Sequence, residues 1–158
     1  MRKDSSELSV PPIGIPIPPR NCIHIGTKTS TWWAGRDILA ANLVVEDELL
    51  LSWDISETLE GEGYDVIAVA NADEAIKVLE SRNDIRTIFT DIDLPGSMDG
   101  LKLAAAVRDR WPPVHIIVTT GMRAPHRDEM PANSMFISKP YRSAEVLEAV
   151  RSFDNALP

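Results

Sequence analysis

The sequence is short of cysteine, of long apolar runs and of positive charge, and each shortage excludes a class of protein. Its 158 residues include one cysteine, Cys22, which leaves no partner for an intrachain disulfide and no basis for a four-ligand zinc site. No apolar run approaches the length of about 18 residues that a helix needs to cross a bilayer. The N-terminus also lacks the pattern of a signal peptide. The net charge of -8 disfavours binding to nucleic acid or to anionic lipid surfaces. We therefore expect a cytoplasmic protein that binds neither nucleic acid nor membrane.

What the sequence does contain changes character near residue 38. Residues 1–37 hold five basic and three acidic residues, so the rest of the chain holds 11 basic and 21 acidic ones. The first segment includes PPIGIPIPPR, whose five prolines fix φ and remove backbone donors, which favours extended structure over helix or sheet. We predict a mostly disordered extension over 1–37 and one folded domain over 38–154. With 44% hydrophobic and 25% charged residues, the chain has an ordinary globular composition.

The folded part alternates short apolar runs with segments of helical period, five times over. The runs are rich in β-branched residues, whereas Ala72, Ala75, Ile76 and Leu79 follow the i, i+3, i+4, i+7 spacing of a helix face. This alternation is typical of a parallel sheet with helices on both faces. We predict an α/β fold with five helices, the last over about 143–153. The five strands are predicted at 42–46, 64–70, 87–91, 114–119 and 134–138.

Acidic residues cluster where the predicted strands end. Glu46 and Asp47 follow the first strand, Asp91 ends the third, Thr119 ends the fourth and Lys139 follows the fifth. The carboxyl ends of parallel strands meet at one edge of a sheet, which is where ligands bind in such folds. Because one lysine cannot neutralise three carboxylates there, a divalent cation is expected. Oxygen ligands without histidine or cysteine favour Mg²⁺, and Mg²⁺ beside a nucleophilic carboxylate indicates phosphoryl chemistry.

Residues 40–153 resemble the receiver domain of two-component response regulators. The resemblance rests on four strings, LVVEDE, FTDIDLPGSMDG, IIVTTG and FISKPY, which stand in the order and at the approximate spacing of that family. It implies a flavodoxin-like, doubly wound five-stranded sheet with strand order 2-1-3-4-5. It also implies that Asp91 is the phosphoacceptor and that Mg²⁺ is the cofactor.

The resemblance assigns the metal site to residues around the first and third strands. Asp47 and the acceptor would bind Mg²⁺ directly, Glu46 through a water molecule, and the backbone carbonyl of Asp93 would be a further contact. The loop after the acceptor is one residue longer than is usual in the family, and Gly96 with Ser97 is expected to absorb the extra residue in a turn. The carboxylate of Asp93 is also expected to affect the lifetime of the phosphorylated state.

The resemblance assigns the phosphoryl contacts and the switch to the last two strands. Thr119 would hydrogen-bond the phosphoryl group and Lys139 would form an ion pair with it. Phe136 would be the aromatic residue that turns inward when the threonine moves. Pro140 stands where the family typically has a cis peptide bond that holds the lysine in place.

The sequence therefore predicts a signalling phosphoacceptor and not an enzyme, with self-catalysed phosphotransfer and autodephosphorylation as its only chemistry. The phosphoryl group would come from a sensor histidine kinase or a histidine phosphotransfer protein, and the output would be binding to a downstream protein. Phosphorylation-dependent homodimerisation stays open. The segment between the last two strands contains Pro125 and Pro131, so its helix is expected to be short or irregular. Because no effector domain follows, a stand-alone receiver is expected.

Two alternatives compete with this interpretation. The first is a pseudo-receiver, an interaction module that is never phosphorylated. The second is a phosphatase of the haloacid-dehalogenase type, which also uses an aspartate nucleophile with a second aspartate two residues on, as in Asp91-Ile92-Asp93. Pro95 and the early position of the Glu-Asp pair argue against the phosphatase.

Overall fold

A computed structural model of the chain describes residues 40–132 and 134–154. The predicted extension over 1–37 lies outside these described residues. Within them, five strands alternate with four α-helices and one 3₁₀ turn. The strands are β1 (Ala41–Val45), β2 (Asp65–Val69), β3 (Ile85–Asp91), β4 (His115–Thr120) and β5 (Ser134–Ser138). The helices are α1 (Leu49–Gly61), α2 (Ala72–Ser81), α3 (Gly100–Arg110) and α4 (Ser143–Asp154).

The strands form one sheet in the order β2-β1-β3-β4-β5, and every neighbouring pair is parallel. The predicted strand order 2-1-3-4-5 is therefore confirmed. Parallel strands place all their carboxyl ends at one edge of the sheet, where the predicted site residues stand. The register sets Asp91 of β3 beside Thr119 of β4, and Thr119 beside Ile137 of β5.

The described residues contain four α-helices and not the five that the sequence predicts, because the described part of the β4–β5 connection contains none. Among the described residues of this connection, helical structure is limited to the 3₁₀ turn Arg127–Glu129. Pro125 and Pro131 flank that turn, and proline lacks the backbone N–H that an α-helix needs in its interior. The residues between the two prolines are too few for more than one helical turn.

The core lies in two layers, one on each face of the sheet. On the first face, Leu43 and Val45 pack with α2 and α3, together with Leu79 and Leu103. On the second face, strand residues pack with α1 and α4, and all the following belong to that cluster: Val44, Ile55, Leu59, Phe89, Ile117, Val146 and Val150. Successive strand residues therefore face opposite layers, as the pleat of a strand requires.

Local signals explain where the helices begin and end. The side chain of Asn71 accepts a hydrogen bond from the backbone N–H of Glu74 and caps α2. Asp99 caps α3 in the same way through Lys102. Beyond α1, Gly63 takes a φ of 87°, a left-handed conformation that glycine adopts at little cost. None of the described helices is both long and apolar enough to cross a membrane.

Candidate functional site

Lys139 connects the acidic side chains at the carboxyl edge of the sheet. Its Nζ lies 2.6 Å from Oδ2 of Asp91 and 3.0 Å from Oε2 of Glu46. Both carboxylates are buried, with exposed fractions of 5% for Asp91 and 3% for Glu46. The lysine thus joins strands β1, β3 and β5, because it bridges the ends of β1 and β3 from the residue after β5.

Burial and charge oppose each other in this group. Burial raises the pKa of Glu46, and the charge and hydrogen bond of Lys139 offset this only in part. Burial alone would lower the pKa of Lys139, but its hydrogen bonds and attraction to Asp91 and Glu46 outweigh that effect, so its pKa is raised. The two carboxylates therefore favour the charged form of Lys139, whereas burial disfavours the charged form of Glu46.

Three carboxylates at this edge are placed to share one cation. Single oxygen atoms of Glu46, Asp47 and Asp91 all lie within 4.8 Å of one another. Asp47 is exposed, so the cluster opens to solvent on one side. The donors are oxygens, which are the ligands that Mg²⁺ prefers, and one lysine leaves two of the three negative charges unbalanced. The residues present therefore fit a Mg²⁺ ion, as the sequence predicts.

The loop after β3 is held by two hydrogen bonds and a turn. The backbone N–H of Asp93 donates to Oδ1 of Asp91 at 3.3 Å. Gly96 has a φ of 111°, and the hydroxyl of Ser97 donates to Asp73 of α2 at 2.6 Å. This turn holds the loop in place, as expected for Gly96 and Ser97. The position of the Asp93 carbonyl toward a metal stays a prediction.

Gly100 is a site residue that sequence reasoning missed. A Cβ built on it would lie 1.8 Å from the backbone oxygen of Asp91 and 2.9 Å from Oγ1 of Thr90. The first residue of α3 therefore touches the backbone of Asp91, which only glycine allows. The Met-Asp-Gly string was the available signal, because Asp99 caps the helix and glycine follows at once.

The two threonines that end β4 face different layers. Thr119 is fully buried, and its hydroxyl is without a hydrogen-bond partner among the described residues. The hydroxyl of Thr120 donates to Oδ2 of Asp93 at 2.8 Å and accepts from the backbone N–H of Met122 at 3.0 Å. Sequence reasoning missed Thr120. Its signal was only the repeated threonine, and the sequence does not fix which of the two faces the loop.

The register decides which threonine shares a face with Phe136. Phe136 is half-buried and pairs with Val118, whose side chain belongs to the layer of α2 and α3. Alternation then puts Thr120 on the face of Phe136, and Thr119 on the opposite face. Phe136 and Thr120 therefore lie on the same face of the sheet. Thr119 lies on the other face, where the register of β3 and β4 sets it directly beside Asp91.

The residues that follow β5 have the backbone geometry that the sequence predicts. The peptide bond between Lys139 and Pro140 is cis. The next residue, Tyr141, packs its ring edge-on against Phe89, with 5.7 Å between ring centroids. The Tyr141 hydroxyl is buried without a hydrogen-bond partner in the described part of the chain, and burial raises its pKa. The cis bond thus separates a lysine directed at the carboxylates from a tyrosine directed into the core.

Comparison with known protein families identifies the family to which this fold belongs. The family model described as the response regulator receiver domain matches residues 43–151, which is more than half of the chain. The chain belongs to the response regulator receiver family. The receiver domain so defined contains β1 from its third residue, the carboxylate cluster, Lys139 and most of α4.

Curated relatives extend well beyond this receiver domain. The response regulator protein FleR of Pseudomonas aeruginosa is 31% identical over 111 residues, which are 68% of this chain and 23% of FleR. The phyllosphere-induced regulator PhyR of Methylorubrum extorquens is 32% identical over 121 residues, which are 72% of this chain and 44% of PhyR. The chain thus spans less than half the length of either relative.

Solved receiver structures match the chain over most of their own length. The response regulator receiver protein of Sinorhizobium medicae is 30% identical, with a TM-score of 0.70 over 75% of this chain and 97% of that one. The response regulator TrrA of Thermotoga maritima, solved in complex with Mg²⁺ and BeF, is 28% identical. Its TM-score is 0.65 over 73% of this chain and 99% of that one. These matches agree with the flavodoxin-like fold.

Proposed function

We propose that Asp91 accepts a phosphoryl group from a phosphohistidine, and that the receiver domain passes on the signal by binding another protein. The observation that supports this most directly is the carboxylate of Asp91, buried at a strand end with Lys139 Nζ 2.6 Å away. Receiver domains are signalling modules and not enzymes in the usual sense, so the chemistry here is the transfer itself. The donor is a sensor histidine kinase or a histidine phosphotransfer protein.

The transfer requires the acceptor oxygen to be ionised and the incoming charge to be balanced. An oxygen of Asp91 attacks phosphorus, the P–N bond to the donor histidine breaks, and its electron pair stays on the imidazole nitrogen. Lys139 lies where its ammonium group can move from the carboxylate to the new phosphoryl oxygens. Mg²⁺ would be held by Glu46, Asp47, Asp91 and the backbone carbonyl of Asp93. The bound ion would neutralise the charge that spreads over the phosphoryl oxygens during transfer.

The readout of the phosphoryl group requires a hydroxyl donor and a side chain that moves. The sequence assigns the donor to Thr119 and the moving side chain to Phe136. We propose that Thr119 donates to the phosphoryl group, because it lies beside Asp91 in register and its buried hydroxyl has no hydrogen-bond partner among the described residues. Thr120 shares a face of the sheet with Phe136 and donates to Asp93 at 2.8 Å, so it connects the end of β4 to the loop after Asp91.

The wider setting of the protein follows from the same proposal. The receiver domain extends over 38–154, it works in the cytoplasm where its donor's phosphohistidine is formed, and it acts on a downstream protein. A phosphorylation-dependent homodimer is compatible with this output. None of these statements depends on the longer relatives, whose remaining regions have no counterpart in the match.

The test is the intact mass of the full chain after incubation with acetyl phosphate and Mg²⁺. The wild type is expected to gain one phosphoryl group, and the gain is expected to vanish with a chelator or in Asp91→Asn. Asp109→Asn is the matched control, since Asp109 is an exposed carboxylate at the end of α3, remote in sequence from the cluster. Asp109→Asn should label as the wild type does. Equal labelling of Asp91→Asn would overturn the acceptor assignment, and an unlabelled wild type would favour a pseudo-receiver.

A further inference from the structure

Two buried hydroxyl groups lack a hydrogen-bond partner among the described residues. They are Oγ1 of Thr119 and the phenol hydroxyl of Tyr141. A buried polar group without a partner costs free energy, and most such groups in folded proteins are paired. The proposed function assigns the Thr119 hydroxyl to the phosphoryl group, whereas it leaves the Tyr141 hydroxyl without an acceptor.

The Tyr141 ring lies on the face of the sheet that carries the carboxylates. It packs edge-on against Phe89, which stands two residues before Asp91 on β3, and both rings belong to the cluster beneath α1 and α4. Tyr141 also follows Lys139 by two residues. Burial raises the pKa of Tyr141, and the negative charges of Glu46 and Asp91 raise it further. The hydroxyl therefore lies in the field of both buried carboxylates.

The surroundings of the hydroxyl indicate which carboxylate could accept its hydrogen bond. After burial, the charges that raise the pKa of Tyr141 are, in decreasing order of effect, those of Glu46, Asp91, Glu48 and Asp54. Glu48 and Asp54 are exposed, so water can solvate them. Asp91 is the proposed phosphoacceptor. Glu46 is 3% exposed, which makes it the buried carboxylate that depends on protein donors.

Glu46 has one hydrogen bond from the described residues on each of its oxygens. Oε1 accepts from the backbone N–H of Glu48 at 3.3 Å, and Oε2 accepts from Nζ of Lys139 at 3.0 Å. In the proposed transfer the lysine turns to the phosphoryl oxygens, which removes the donor of Oε2. Mg²⁺ would balance part of the charge of Glu46, but a buried carboxylate oxygen also requires a hydrogen bond.

We propose that the Tyr141 hydroxyl donates to Oε2 of Glu46 once Lys139 has turned to the phosphoryl group. This inference rests on the proposed function, because it requires the lysine to leave Glu46. Tyr141 is then a positioning residue that acts on the metal site through Glu46. Its hydroxyl is unpaired in the unphosphorylated chain and paired in the phosphorylated chain, so the tyrosine favours the phosphorylated state.

Tyr141→Phe in the full chain tests this inference, because it removes the hydroxyl and keeps the ring against Phe89. In thermal unfolding without ligands, the variant should be at least as stable as the wild type, since it loses only an unpaired polar group. With Mg²⁺ alone it should gain as much stability as the wild type, because Lys139 stays on Glu46. Beryllofluoride with Mg²⁺ stands in for the phosphoryl group. The apparent dissociation constant for beryllofluoride, taken from the stabilisation at increasing concentrations, should rise about tenfold.

Tyr64→Phe is the matched control, since Tyr64 is the other tyrosine of the chain. Its hydroxyl donates to Asp154 at 2.7 Å, next to the amino end of β2 and at the edge opposite the site. This variant should lose stability in every condition and bind beryllofluoride as the wild type does. Glu46→Gln supplies a second background, in which the acceptor is neutral. There Tyr141→Phe should weaken beryllofluoride binding less than it does in the wild type.

The outcomes separate this inference from the proposed function. If beryllofluoride stabilises the wild type and Tyr141→Phe binds it equally well, this inference is wrong and the proposed function stands. An equal loss of stability in all three conditions would show a purely structural tyrosine, with the same consequence. An equal effect of Tyr141→Phe in the Glu46→Gln background would overturn Glu46 as the acceptor. A wild type that beryllofluoride does not stabilise would overturn the proposed function and this inference together.

Discussion

Replacing Gly100 by alanine tests whether the start of α3 fixes the position of the acceptor. The new Cβ would lie 1.8 Å from the carbonyl oxygen of Asp91, whereas real Cβ atoms essentially never approach other atoms within 3.0 Å. The neighbouring atom is backbone, so a side-chain rotation cannot relieve the contact. Either the first turn of α3 or the end of β3 must therefore move by more than 1 Å.

Two effects of opposite sign decide the size of the change in stability. Alanine favours a helix over glycine by at most about 1 kcal/mol, and by less in the first turn. Overpacking that forces a backbone shift costs about 1–3 kcal/mol or more. We therefore expect Gly100→Ala to lower the free energy of unfolding by about 1–3 kcal/mol. A displacement of about 1 Å at a reacting group can slow a reaction about 100-fold, so labelling by acetyl phosphate should also slow markedly.

The assay is urea unfolding followed by circular dichroism, with Gly61→Ala as the matched control. A Cβ at Gly61 would meet nothing within 4 Å, and this residue ends α1. Gly61→Ala should leave stability unchanged or raise it by up to about 1 kcal/mol. If Gly100→Ala proved as stable as Gly61→Ala and labelled at the wild-type rate, the close approach of α3 to the acceptor would be refuted.

Two further predictions concern the buried polar groups of the site. Burial raises the pKa of Glu46 above its ordinary value of 4.5 in the folded state. Between the ordinary and the raised pKa, the folded chain therefore binds more protons than the unfolded chain. The folded chain loses stability as pH rises through this range. Glu46→Gln, measured without Mg²⁺, should remove this loss, so the stability of the variant should vary less with pH than that of the wild type; an unchanged pH dependence would contradict the argument. In thermal unfolding with Mg²⁺ and beryllofluoride, Thr119→Val should lose most of the stabilisation that the phosphoryl mimic gives, whereas Thr120→Val should keep it. The reverse result would assign the phosphoryl contact to Thr120.

Local patterns in the sequence were sufficient for most of the framework. The strand at 134–138 has the predicted bounds, because strand runs are decided by neighbouring residues. The helix between β4 and β5 could be predicted only as short or irregular. Its replacement by one 3₁₀ turn depends on how far apart the ends of β4 and β5 lie, which the prolines alone do not fix.

The site was predictable in its chemistry and less so in its geometry. Strand ends place Glu46, Asp91 and Lys139 at one edge, so their meeting follows from the topology. The choice between Thr119 and Thr120 depends on the register of β4 against β5, where a change of one residue reverses the face of every side chain. The contact of Gly100 with the backbone of Asp91 depends on the approach of a helix to a strand, and it leaves no periodic signal.

The side chains that the proposed function requires lie on both faces of the sheet. Asp91 continues the alternation of Phe89, and Lys139 that of Ile137, so both stand above the layer of α1 and α4. Thr120 and Phe136 stand above the other layer. A phosphoryl group on Asp91 would change the charge on one face, and a group at the end of β4 can carry this change to the other. The hydrogen bond between Thr120 and Asp93 joins β4 to the loop that follows Asp91, and it is therefore the contact through which the face of Phe136 would respond.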